Sequence, residues 1–335
     1  MRAAWYERHG AASEVLVVGE MARPVPAAGE VLVRLAASGV NPSDVKSRRG
    51  RQAGAPMPFP RVIPHSDGAG VVEAVGDGVA AGWTGQRVWI WNGQVQRPFG
   101  TAAQYIALPV RQVVPLPPGV SFEVGASLGI PALTAAHCVM SQGSVQGESV
   151  VVSGAMGTVG RLVVQMARHA GAARIIATAR GTRHADALRG LGADAVVDFT
   201  ATDLARQILR ANGGQPVDRV IESELGVNVK TDVEVLRLRG RLIVYGSAIV
   251  VDPTIPFVPA LFKGLTIELA LVYQLTEAER RAAIDMTHLL LAQGALDVPV
   301  QIVYRLAACA QAHEAVERGN RAGSILVHMQ DGDGA

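Results

Sequence analysis

The sequence predicts a two-domain α/β protein, a β-barrel-like domain joined to a doubly wound parallel sheet. Three observations carry this. Short alternating apolar runs punctuated by Gly, Pro and Asp fill residues 1 to about 120. From about residue 124 the period changes, and strand-like runs alternate with helical ones, the pattern of a parallel sheet with crossover helices. Within that second region GESVVVSGAMGTVG (147–160) flows straight into RLVVQMARHAG, with Gly154, Gly157 and Gly160 at the junction.

Taken in order, MRAAWYERHG reads as a strand entering a turn, and EVLVRLAAS (30–38), GVVEAVG (70–76) and QRVWIW (86–91) read as strands. RPVPAAGE, GAPMPFPRVIP and VPLPPGV supply the turns between them. After the glycine-rich junction come a strand RIIATAR (174–180), a helix around ADALRGLG, a strand AVVDF (195–199), a helix LARQILRANGG, and strands DRVIES (218–223) and GRLIVYGS (240–247). The alternation ends near residue 264 with KGLTIELALVY, and Thr276 and Glu279 form a T-x-x-E capping box opening a long helix through about Gln293. A strand VPVQIVYRL, a helix ACAQAHEAVERG and a strand GSILVHM close the chain. These are too few for an independent core, so the expected domains are 1–123, 124–264, and 265–335 returning to the first. The cleft between domains is the expected place for a substrate.

The 31 basic and 29 acidic residues leave a net charge of +2, which is no nucleic-acid footprint and points to a small-molecule partner. Candidate apolar spans such as 261–273 are interrupted by Lys263 and Glu268 before reaching the ~18 residues a membrane helix needs. The N-terminus has no apolar signal region, so a cytoplasmic protein is expected. Cys138 and Cys309 are the only cysteines and read as reduced thiols rather than a disulfide.

The G-x-x-G-x-x-G spacing lets the backbone turn tightly, approach a ligand without Cβ clashes and pack the following helix close to its strand. The first N–H groups of that helix lack intrahelical partners and sit at its positive end, where a dinucleotide pyrophosphate binds. Val150, Val151 and Val152 suit a buried parallel strand, and Leu162, Val163, Met166, Ala167 and Ala170 share one helical face.

The residues GVNPSDV (39–45), PHSDGAGVVEAVGDGV (64–79), LGIPALTAAHCV (128–139), VSGAMGTVG, IESELGVNV (221–229), GRLIVYGS and AGSILV, in this order and spacing, resemble the medium-chain dehydrogenase/reductase superfamily. Within it they are similar to the zinc-free quinone oxidoreductases of the zeta-crystallin type. The resemblance spans nearly the whole chain and implies a GroES-like β-barrel catalytic domain, a Rossmann cofactor domain and a homodimer or tetramer. Aligned on GAG, the zinc-ligand positions of metal-dependent members fall on Asn41, Ser66 and Ile130, with Asp67 at the neighbouring acid. Amide, hydroxyl and alkyl groups are poor zinc ligands, so no metal is expected. His65 stands one residue from the ligand position, either a displaced ligand or a structural residue hydrogen-bonded beside Asp67.

About 20 residues after the glycine turn, where NAD-preferring sites carry an acid for the ribose 2′-OH, stands Arg180. Thr178, Arg180 and Arg183 near the end of the second strand favour a 2′-phosphate and hence NADPH, since guanidinium makes paired, charge-assisted bonds to phosphate. A solvated basic loop is the alternative. The resemblance further implies Gly154, Met156, Gly157, Thr158 and Val159 at the pyrophosphate, Asn228 after the fourth strand, and Gly246 with Ser247 after the fifth. Tyr273 is either near the nicotinamide or an aromatic core residue. Asn320 and Arg321 fall in a loop that touches the cofactor in relatives, although Ser324 here replaces a frequent lysine.

With no zinc set, direct hydride transfer from bound NADPH to a quinone or another activated carbonyl or alkene is the expected chemistry. Charge building on the acceptor oxygen then needs a hydrogen-bond donor and a proton. Asn41, Lys46 and Thr134 are the candidates, each with an alternative: an Asn-Pro turn, a solvated side chain and a helix cap. The basic run SRRGRQ (47–52) reads as a mobile, solvated charge run or, in a second functional reading, as the clamp on a coenzyme A phosphate in an enoyl-thioester reductase. A third is an NADPH-binding protein without turnover.

Overall fold

Alternation of apolar and polar residues makes the N-terminal part of the chain a set of antiparallel strands, each with one face in a shared core. The computed structural model describes residues 1–50, 54–181, 183–319 and 321–329. The chain divides into two units, Met1–Ile130 with the segment from Val298 onward, and Pro131–Asp297.

In the first unit the strands are β1 (Arg2–Trp5), β2 (Val17–Glu20), β3 (Glu30–Val40), β4 (Asp67–Val75), β5 (Arg87–Ile90), β6 (Tyr105–Pro109) and β7 (Val113–Pro115). In the second they are β8 (Ser149–Val152), β9 (Arg174–Ala179), β10 (Ala195–Asp198), β11 (Val217–Glu222), β12 (Leu236–Val244) and β13 (Thr266–Leu269), after which β14 (Val300–Arg305) and β15 (Ser324–His328) rejoin the first.

The larger sheet of the first unit runs β14-β15-β3-β4-β5-β7, with β6 also on β3. Antiparallel pairing of β15 on β3, Ile325 opposite Val40 through His328 opposite Ala37, ties the returning segment in. Register shifts between Leu32 and Val33 and between Leu35 and Ala37 bend β3 where it serves several partners. Val31, Val33, Val72, Val88, Ile106, Leu108 and Val327 meet in its core, covered by Cys309, Ala312 and Val316 of helix Cys309–Glu317.

The second unit holds a six-stranded, wholly parallel sheet in the order β10-β9-β8-β11-β12-β13. Because the chain winds outward from β8 in both directions, the carboxyl end of β8 is the topological switch point, where such sheets bind ligands. All four residues of β8 are buried, as a strand covered on both faces requires. The capping box forms as expected: Thr276 Oγ1 accepts from Glu279 N at 3.3 Å, and the Glu279 carboxylate accepts from Thr276 N at 2.8 Å.

The expected domain limits need correction. The chain returns to the first unit at Val298 rather than 265, because Thr266–Leu269 adds to the open edge of β12 as a sixth parallel strand. The first limit falls at Ile130 rather than 123, inside helix Gly129–Met140. Among the described residues no helix is long and apolar enough to cross a membrane. Cys138 and Cys309 are both buried and free.

Candidate functional site

The carboxyl edge of the parallel sheet gathers most of the candidates. After β8 the chain turns at Gly154, whose φ of 61° favours glycine, and Gly157 N donates to Gly154 O at 2.9 Å. Gly157 is the N-cap of helix Thr158–His169. A Cβ on Gly160 would stand 2.6 Å from Gly154 O, so only glycine lets this first helical turn lie against the turn before it. The helix keeps its leading N–H groups at the turn, and the Thr158 hydroxyl oxygen there is buried without a hydrogen-bond partner. A glycine cradle, unspent helix N–H groups and an orphaned hydroxyl fit a dinucleotide phosphate. Met156 and Val159 are half-buried beside them.

Thr178 plays a different part from direct contact. Its hydroxyl accepts from Gly154 N at 3.1 Å and its carbonyl from Ala155 N at 2.9 Å, so the neighbouring strand holds the turn in shape. Arg180 follows β9 and is exposed, its guanidinium 5.2 Å from the Phe199 ring centre. Arg183 is exposed and donates to His184 at 2.8 Å. A carboxylate missed in the sequence lies here as well. Asp198, at the end of β10, is held below the usual carboxylate range by the Gly181 and Thr200 backbone N–H groups and by the Arg180 charge. No acid stands in 177–184, but the adjacent strand delivers one.

Beyond β11 and β12, Asn228 Nδ2 donates to Glu222 at 3.1 Å, and Ser153 Oγ donates to the same carboxylate at 2.8 Å. Burial pushes the Glu222 carboxyl up, and that of its neighbour Asp232 further still. A Cβ on Gly246 would lie 2.4 Å from Ser223 O, and Ser247 Oγ accepts from Gly226 N at 2.9 Å. Asn228, Gly246 and Ser247 therefore order the ends of two strands beside the switch point. Tyr273 sits half-buried on the short turn Val272–Gln274 rather than in a strand. Thr134 is buried in the middle of helix Gly129–Met140, which removes the capping alternative.

In the first unit Asn41 is both a turn residue and a candidate polar group. It caps helix Pro42–Arg49, its backbone N–H donating to Asp44 at 2.7 Å, while its side-chain amide donates to Asp67 at 2.8 Å. Both Asp67 oxygens also accept from Ile130 N at 2.9 Å. Burial raises the Asp67 carboxyl to about 7 in spite of these bonds. The positions aligned with the zinc ligands are thus occupied by an amide already engaged, a buried Ser66 and a backbone N–H, which do not fit zinc. His65 is indeed hydrogen-bonded, but to Ser38 at 2.8 Å and His313 at 2.9 Å rather than to Asp67.

Lys46 is exposed on the last turn of helix Pro42–Arg49. The basic run is not a uniform solvated loop. Arg48 is wholly buried, donating to Gly10 O and pairing with Glu317, which Arg49 also reaches at 3.1 Å. Arg51 and Gln52 lie outside the described residues, as does Asn320. Arg321 is half-buried, and burial lowers its pKa from the ordinary arginine value.

Residues 27–118 match the family described as alcohol dehydrogenase GroES-like domain, and residues 158–288 the one described as zinc-binding dehydrogenase. Quinone oxidoreductase of Sus scrofa is 31% identical over 314 residues, covering 92% of each chain. That of Homo sapiens is 33% identical over 249 residues, 74% of this chain and 73% of that one. Among solved structures, an NAD-dependent alcohol dehydrogenase superposes with a TM-score of 0.87 at 28% identity, covering 98% of this chain and 100% of the other. A mycobacterial protein complexed with NADPH gives 0.84 at 25%, covering 98% and 99%. A 2-haloacrylate reductase gives 0.84 at 26%, covering 98% and 100%. With the barrel strands, the switch-point glycine turn and these matches in place, the chain belongs to the medium-chain dehydrogenase/reductase superfamily as a quinone-oxidoreductase-like oxidoreductase.

Proposed function

We propose that the protein is a cytoplasmic NADPH-dependent reductase passing hydride to quinones or other activated carbonyl or alkene acceptors without a metal. The observation that carries this is the preformed cradle of Gly154, Gly157 and Gly160 followed by Arg180 at the end of β9. The N–H groups of Thr158 and Val159 and the Thr158 hydroxyl hold the pyrophosphate, with Met156 beside them. Arg180 and Arg183 hold the 2′-phosphate, Asp198 setting how much of the Arg180 charge remains for it. When bound, the nicotinamide supplies the hydride. Asn41, Lys46 and Thr134 supply hydrogen bonds and a proton to the acceptor oxygen, and Asn228, Gly246, Ser247, Tyr273 and Arg321 complete the cofactor contacts.

The assay follows NADPH oxidation with a quinone panel, small enones, 2-haloacrylate and crotonyl-coenzyme A, with and without a chelator. Turnover of quinones or small enones that survives chelation is the expected result. Turnover of the thioester alone would establish the enoyl-thioester reductase instead. That reading loses ground because Arg48, one of its supposed phosphate clamps, is buried on Glu317. Tight NADPH binding with no turnover would leave a non-catalytic binder.

We also propose a homodimer formed by the second unit. The edge strand β13 exposes Leu269, and helix Phe257–Lys263 exposes Phe257, Leu261 and Phe262, the last 80% accessible. An open parallel edge flanked by large apolar side chains is a surface that a second copy covers. Light scattering of the purified protein tests this.

A further inference from the structure

Inside the core of the first unit, one ring nitrogen each of His65 and His313 and the sulfur of Cys309 lie within 4.8 Å of one another, all three residues buried. Cys309 and His313 stand four residues apart on helix Cys309–Glu317, so they share a face one turn apart. His65 arrives just before β4 with φ of 77°, a left-handed backbone that glycine adopts freely and an imidazole-bearing residue rarely does. A strained position filled by histidine indicates that the ring itself is required there.

The hydrogen bonds fix how that ring is presented. Thr101 Oγ1 donates to Asp67 O at 2.6 Å, so it accepts from Ser38 Oγ at 2.8 Å. Ser38, having given its proton to Thr101, accepts from His65 Nδ1 at 2.8 Å. His65 is therefore the Nδ1–H tautomer, and its Nε2 lone pair faces His313. An outer hydroxyl that sets tautomer and orientation is the arrangement found behind metal-ligating histidines. His313 Nε2–H donates to the His65 Nε2 lone pair at 2.9 Å, and the buried Nδ1 of His313 keeps a lone pair without a hydrogen-bond partner.

We propose that His65, Cys309 and His313 form a buried binding site for copper(I). Two imidazoles and a thiolate suit a soft, closed-shell cation that accepts three ligands. Charge decides against a divalent ion. Copper(I) replaces the thiol proton of Cys309, forming a Cu–S bond and two dative N–Cu bonds and releasing one proton to buffer, with no electron transferred. The site stays neutral beside Asp44 and Arg48, whose charges reach Cys309. Zinc(II) on the same three ligands would carry one unit of positive charge into the core and would lack the fourth ligand it takes in structural sites.

The test uses the full-length protein, reduced and freed of metal, incubated anaerobically with copper(I) buffered by bathocuproine disulfonate, and in parallel with zinc(II) under a zinc indicator. One equivalent of copper(I) per chain is expected, with X-ray absorption showing two nitrogens and one sulfur. Cys309→Ser should weaken copper(I) binding by more than about tenfold, and Ser38→Ala, which touches no metal, by about tenfold. Absence of retained copper, undiminished binding in Cys309→Ser, or preferential uptake of zinc would overturn the proposal. Should either variant fail to fold, the coordination shell of the wild-type protein decides alone. These readouts do not depend on reductase turnover, so they stand apart from the proposed hydride chemistry.

Discussion

The buried carboxylate of Asp67 accepts from the side-chain amide of Asn41 at 2.8 Å and so fixes the rotamer of the candidate active-site amide. The Asn41 side chain is also hydrogen-bonded to the buried Asp44 carboxyl, so two carboxyl groups hold the amide in place. Asn41→Ala should lower kcat/KM by about 10- to 100-fold with little change in NADPH affinity, as loss of one charge-stabilising donor does. Asn41→Asp should also destabilise the fold, because it sets a third buried carboxyl beside Asp67 and Asp44. Steady-state kinetics and urea unfolding separate the two effects, and an Asn41→Ala enzyme of full activity would remove the residue from the reaction.

The protonation of Asp67 gives a pH signature. Its folded-state carboxyl titrates near about 7, against an ordinary 3.8, because burial outweighs the bonds from Ile130 and Asn41. Over that range the folded protein keeps a proton that the unfolded chain has released. Its contribution is therefore most favourable below about pH 4 and declines as pH rises to about 7, by up to roughly 4 kcal/mol. Asp67→Asn removes this dependence, so the stability gap between the two proteins should shift with pH in favour of the variant on the alkaline side. Urea midpoints across pH 4 to about 8 measure it, and parallel curves would show that Asp67 is ionised throughout.

Arg180→Asp should raise KM for NADPH by about 10- to 100-fold and hardly change KM for NADH, the loss expected for a charge-assisted bond to phosphate. Asp198→Asn should act the other way, lowering KM for NADPH a few-fold by releasing the Arg180 charge. Equal effects of Arg180→Asp on both nucleotides would count against the 2′-phosphate contact.

Gly160→Ala should lower stability by about 1–3 kcal/mol and weaken nucleotide binding, since the new Cβ meets Gly154 O at 2.6 Å. Thermal melts with and without NADPH report both. A variant that binds and melts like the wild type would mean the turn tolerates a wider helix approach than its geometry allows.

Phe262→Glu, on an 80% accessible side chain, should convert a dimer to monomer without altering the melting of the monomeric fold. Light scattering at several concentrations reads the mass directly.

Local patterns were legible in the sequence and distant encounters were not. The barrel strands, the parallel alternation, the Thr276–Glu279 cap and the glycine turn are each written in a few neighbouring residues, so period and turn chemistry find them. Thr266–Leu269 is a four-residue strand, too short for its period to reveal which sheet it joins. Arg48 read as solvated because its partner Glu317 lies at the far end of the chain. Asp198 escaped notice because it reaches the end of β9 through strand pairing, not through sequence spacing. The family resemblance supplied Asn41, yet only the fold shows Asp67 holding it.

The bond from Gly154 N to the Thr178 hydroxyl means that the proposed phosphate loop is already braced before any nucleotide arrives. Little chain entropy remains to be surrendered on docking, so capture of the dinucleotide should proceed at a rate set by encounter and charge rather than by loop closure.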